Sequence, residues 1–102
     1  DLAPLRVQAG ADAVYERALE IARRQPDWRI TETDARARRF EGVAETKLFR
    51  FRDDFVVRVR PEGEGAVVDM RSKSREGKSD LGANAARIRG FFAQLRQVFA
   101  KE

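Results

Sequence analysis

Leu81-Gly82-Ala83-Asn84-Ala85-Ala86-Arg87-Ile88-Arg89-Gly90-Phe91-Phe92-Ala93-Gln94-Leu95-Arg96-Gln97-Val98-Phe99-Ala100 decides the fold. Leu81, Ala85, Ile88, Phe92, Leu95 and Phe99 step by four and three, and Phe91 and Val98 widen the stripe. That period belongs to a helix with one face in a core. Gly90 lies opposite the stripe, where it costs about 1 kcal/mol relative to alanine without a visible reason. Asn84 lies on the flank of the stripe, so its amide is half-buried and needs partners. Backbone groups of the Ser74–Ser79 loop are the expected ones.

Working back, Arg71-Ser72-Lys73-Ser74-Arg75-Glu76-Gly77-Lys78-Ser79-Asp80 is polar punctuation. Ser79 or Asp80 can cap the helix by accepting bonds from its first free amides. A strand over about 66–73 precedes it, with Val68 and Met70 inward. Pro61-Glu62-Gly63-Glu64-Gly65 reads as a hairpin turn. Before that, Phe55, Val57 and Val59 alternate with Val56, Arg58 and Arg60 in another strand. Asp53-Asp54 reads as turn chemistry ahead of it.

Residues 37–48 read as a long strand with Phe40, Ala44, Thr46 and Leu48 on one face. Trp28 and Ile30 begin a shorter strand that runs to Thr33, and Asp34-Ala35 turns the chain between the two. Residues 11–24 read as a helix with Val14, Ala18, Ile21 and Ala22 on one stripe, ended by Pro26. Leu5 and Val7 mark a first strand. The order strand, helix, four strands, helix, with short turns between strands, predicts an antiparallel meander. The expected fold is a two-layer α+β sandwich: a five-stranded antiparallel sheet, its first strand beside its fifth, with two helices on one face. At 102 residues it forms one domain, 1–102.

The chain holds no histidine and no cysteine. Those absences remove the commonest general base, the catalytic triads that depend on it, thiolate nucleophiles and the usual zinc ligands. No catalytic residue, metal ligand or cofactor is called for, and the reading leans away from an enzyme. The net charge is +4. Twelve of the 21 lysines and arginines lie between 36 and 78, but eight acids are interleaved among them. No aromatic pair stands where an RNA-binding sheet needs stacking platforms, so nucleic acid is not an expected partner.

Two surfaces remain as candidates. At the corner, free amides at the helix start together with Arg75, Lys78, Ser79, Asp80, Asn84 and Arg87 can hold a small anion or a lipid headgroup. The competing reading is that Asp80 and Asn84 pin the loop to the helix. On the outward sheet face, Val43, Val56 and Val67 form a weak apolar centre with Arg58, Arg60 and Arg71 as rim, a docking surface for a partner protein. The competing reading there is a solvated ladder of ion pairs.

Phe51-Arg52-Asp53-Asp54, Val57-Arg58-Val59-Arg60-Pro61, Asp69-Met70-Arg71-Ser72-Lys73-Ser74-Arg75 and Gly77-Lys78-Ser79-Asp80-Leu81-Gly82-Ala83-Asn84-Ala85-Ala86-Arg87-Ile88 together resemble the bacterial and plastid family called domain of unknown function 1499. The opening Asp1-Leu2-Ala3-Pro4-Leu5 resembles the junction where longer members enter this domain. The resemblance implies a soluble C-terminal portion of a membrane-attached protein. The expected place is a bacterial inner membrane, with the periplasmic side preferred, although the lack of cysteine fits either side. It supplies no catalytic residues. The family's shared positions fall here on Asp53, Arg71, Ser79, Asp80, Gly82 and Asn84. The expected function is a non-enzymatic binding or scaffold module tethered at a membrane, the alternative being the small-anion or headgroup binder at the corner.

Overall fold

The computed structural model describes residues 3–47, 50–76 and 81–100. Strand β1 (Leu5–Val7) leads into helix α1 (Ala11–Arg24). Four strands follow: β2 (Trp28–Asp34), β3 (Arg39–Glu45), β4 (Arg52–Glu62) and β5 (Gly65–Ser74). Helix α2 (Leu81–Ala100) closes the chain. The sheet is antiparallel throughout, in the order β1-β5-β4-β3-β2, as the meander reading requires.

The turns follow from local chemistry. Gly63 adopts φ +60°, a left-handed conformation open to glycine, and the β4–β5 hairpin closes over it with Glu62 opposite Gly65. Helix α1 ends because Pro26 disfavours the helical region for Gln25, which sits at ψ 126°. The Gln25 side-chain amide donates to the Ile21 carbonyl at 3.0 Å, so a C-terminal carbonyl of the helix keeps a partner. Gly42 in β3 allows a close approach. A Cβ there would lie 2.5 Å from Phe55 Cζ and 2.6 Å from the Arg29 carbonyl oxygen.

Both helices pack on one face of the sheet. Alternation places Phe40 of β3, Phe55, Val57 and Val59 of β4, and Val68 and Met70 of β5 on that face. Val14, Ala18 and Ala22 of α1 are fully buried, and the alanines let the helix sit close. From α2, Ile88, Phe91, Phe92 and Leu95 enter the core. Trp28 links the β2 edge to α2: its ring lies 4.7 Å from Phe55 and 5.7 Å from Phe91.

Gly90 is exposed, and a Cβ there meets nothing within 4 Å. Nothing in the described residues requires a glycine at that point of α2. Gly90→Ala is therefore expected to stabilise the domain by about 0.4–1 kcal/mol. A higher Tm in thermal unfolding checks this.

Candidate functional site

The described residues that the corner brings together are Asp53, Ser72, Asn84 and Arg87. Asp53 is not a turn residue, as the sequence suggested, but the second residue of β4. It stands in the inward register with Phe55 and Val57, and lies opposite Ala44 of β3 and Ser74 of β5. Its neighbour Asp54 points outward, as extended chain demands. Ser72 occupies an inward position of β5, and Asn84 and Arg87 lie three residues apart on α2.

The geometry is tight. Arg87 Nη1 lies 2.9 Å from Asp53 Oδ2, and it donates to Asn84 Oδ1 at 2.8 Å and Ser72 Oγ at 2.9 Å. Ser72 Oγ donates to Asn84 Oδ1 at 2.5 Å. Asp53 is 3% exposed and Asn84 5%. Among the described residues, no buried side-chain nitrogen or oxygen lacks a hydrogen-bond partner. An ion pair removed from water holds only when its remaining groups are bonded, and this one meets that condition. Chemically the cluster is an anchor of α2 to β4 and β5.

Around it runs an exposed network. The Arg75 guanidinium is forked onto Asp54, with Nε to Oδ2 at 3.1 Å and Nη2 to Oδ1 at 2.8 Å. Glu76 accepts from the Arg52 backbone amide at 2.6 Å and from Arg52 Nη2 at 3.0 Å. The bond from Arg75 holds the Asp54 carboxyl below its ordinary value of 3.8, outweighing the opposite push of burial. The Arg52 amide and guanidinium likewise lower Glu76 from 4.5. A depressed folded pKa stabilises above the unfolded value, and that stabilisation is lost as pH falls through the folded value. The domain should thus lose stability below about pH 5 from these two groups. Asp54→Asn combined with Glu76→Gln should flatten that acid limb, checked by Tm followed from neutral pH into acid.

Of the corner residues expected to hold an anion, Arg75 and Arg87 are engaged by Asp54 and Asp53, and Asn84 faces Ser72 and Arg87. Lys78, Ser79 and Asp80 lie outside the described residues. Sequence reasoning marked Asp53 only as a shared family position and turn residue, and it placed neither Asp53 nor Ser72 at the corner. Reading the β4 alternation two residues further back from Phe55 would have exposed Asp53 as an inward acid.

The outer sheet face carries no helix. Val43 is 7% exposed and Val67 0%, so neither is the exposed apolar centre that the sequence suggested. Val67 lies between Arg6 and Arg60 in register, long side chains whose stems shield apolar surface. Val56 alone of the three stays half-exposed. A concavity there is lined by Arg39, Val56, Arg58, Arg60, Asp69 and Arg71. Arg39 meets Glu41 at 2.6 Å and Arg60 meets Asp69 at 3.0 Å. The guanidinium groups of Arg58 and Arg71 make no ion pair or hydrogen bond among the described residues. Nor does any group of three or more potential metal ligands occur among them. No helix among them is long and apolar enough to cross a membrane.

The fold is shared with the di-domain ARO/CYC BexL from the BE-7585A biosynthetic pathway, at a TM-score of 0.62 and 19% identity. The likeness covers 92% of this chain and 44% of that one, so the chain spans less than half of BexL. A DUF4468 family protein from Bacteroides ovatus aligns over 94% of this chain and 80% of its own, at 14% identity and a TM-score of 0.38. Comparison with curated proteins gave no match. The sequence itself is the firmer guide: residues 1–95 match the family described as protein of unknown function DUF1499, and the chain belongs to that family.

Proposed function

We propose that this chain is a non-enzymatic binding module, held at a membrane, that docks a partner protein on the uncovered face of its sheet. The observation that carries the reading is the outer-face concavity around Val56, with two arginines that no acid among the described residues engages. Both helices cover the opposite face, and the space beneath them is filled by Phe40, Phe55, Phe91 and Leu95. At the corner, the alternative place for an anion, Arg75 and Arg87 are already held by carboxylates. Membrane attachment rests on the resemblance to longer family members with a hydrophobic segment ahead of this domain.

Site-specific photo-crosslinking in the full-length protein, in its own membrane, tests this. A crosslinking residue at position 56 should give a discrete protein adduct. One at position 89, on the exposed side of α2, should give none. Equal labelling at both positions, or none at 56, would remove the sheet face as the docking surface.

A further inference from the structure

The outer face does more than leave room for a partner: its charges are arranged in a way that the described residues do not satisfy among themselves. Arg39 and Arg58 are direct cross-strand partners in the β3–β4 register. Like charges placed opposite each other in a sheet destabilise it. Arg58 also stands opposite Asp69 on β5, a pairing that should relieve the repulsion. Yet the Asp69 carboxylate is taken by Arg60, 3.0 Å away. Glu41, which could have served, is taken by Arg39 at 2.6 Å. Arg71 is the cross-strand partner of Val56 and has no acid opposite it. The result, among the described residues, is two arginines, diagonal neighbours across β4 and β5, whose guanidinium forks no acid claims, beside a half-exposed valine.

We infer that Arg58 and Arg71 form a carboxylate-binding site, and that its occupant is an acidic segment of the partner protein. This rests on the reading above, that the sheet face docks a protein. A guanidinium presents paired donors that match a carboxylate bidentately. The diagonal spacing of about 7–8 Å between such strand positions lets two forks engage one acidic segment. Arg39 and Arg60 sit at the rim with their own acids, so they add positive potential without being free to bind. Among the described residues the outward positions carry no aromatic ring, which removes base stacking as a mode. They carry no exposed large aliphatic side chain to enter a bilayer. Charge complementarity around a small apolar centre is the anatomy of a protein contact.

The test is fluorescence anisotropy of a labelled oligoglutamate peptide added to the chain. Arg58→Glu with Arg71→Glu should weaken binding by about tenfold or more, while Arg89→Glu with Arg96→Glu on α2 leaves it unchanged. Raising the salt concentration should weaken wild-type binding. Arg58→Thr is the sharper variant. Threonine suits a strand and ends the opposition with Arg39, so the Tm should hold or rise while peptide binding falls. A merely structural arginine would lose both. Equal peptide binding by the wild type and the double reversal would overturn the inference. So would stronger binding to phosphatidylglycerol vesicles or inorganic phosphate than to the peptide, if Arg58 and Arg71 carried it. A crosslink at position 56 without peptide binding would sink the acidic occupant and leave the docking face standing. No crosslink at 56 would sink both.

Discussion

Arg87→Met is expected to destabilise the domain by about 3–5 kcal/mol, the range seen when one partner of a buried ion pair is removed. The Asp53 side chain is 5% exposed and that of Arg87 12%. Methionine retains much of the aliphatic volume, so the loss falls on the charges. Asp53 would keep a carboxylate that water hardly reaches, and Ser72 and Asn84 would each lose a bond to the same nitrogen. A loss of that size is a large share of the roughly 5–15 kcal/mol that holds a domain together. Urea unfolding of the variant measures it. The companion is Asp53→Asn with Arg87→Met, which removes both charges. It should recover a large part of the loss, because the penalty lies in the orphaned charge and not in the absence of the pair. A single variant within about 1 kcal/mol of the wild type would mean that the pair is a surface contact and not an anchor.

That cluster also marks where the sequence stopped being readable. The core stripe of α2, the burial of Asn84 and the order of the strands follow from period and alternation, which are local. Arg87 is a local partner of Asn84, three residues on along the helix, but Ser72 is not. Ser72 and Asp53 meet α2 only because the β4–β5 register and the helix crossing bring those three elements together. Asp53 was hidden for a second reason. Two adjacent aspartates ahead of a strand read as a turn, since that is where aspartate is common. Pairing with β3 and β5 overrode that preference, and alternation then drove one carboxylate inward. The valines of the outer face were misread in the opposite sense. Alternation placed Val43 and Val67 outward correctly, but outward is not exposed when long side chains flank the position on neighbouring strands. What stayed legible was the basic face itself. The two arginines that no described acid engages could be found only once Glu41 and Asp69 were seen to bond elsewhere.

Phe91→Ala is the other large effect expected, at about 3–5 kcal/mol. Phe91 is 1% exposed and is among the largest fully buried side chains. It joins α2 to the sheet through Trp28, whose ring in turn lies against Phe55. Alanine loses the transfer energy of the ring and leaves a cavity between a helix and a strand that the register holds in place. Phe91→Leu keeps most of the volume and loses the ring contacts, so the gap between the two variants separates cavity from aromatic geometry. The ring pairs are worth about 0.5–1.5 kcal/mol beyond burial. Trp28 is the chain's one tryptophan, so its fluorescence during urea unfolding reports on this contact directly. Phe91 stands one turn of α2 beyond Arg87, close enough for the two sites to couple. The double variant Arg87→Met with Phe91→Ala should therefore lose less than the sum of its parts, because a helix already freed at one site has less left to lose at the other. Strict additivity would mean that the anchor and the core hold α2 independently. A loss below about 1 kcal/mol for Phe91→Ala alone would place the weight of holding the helix on the Asp53–Arg87 pair instead.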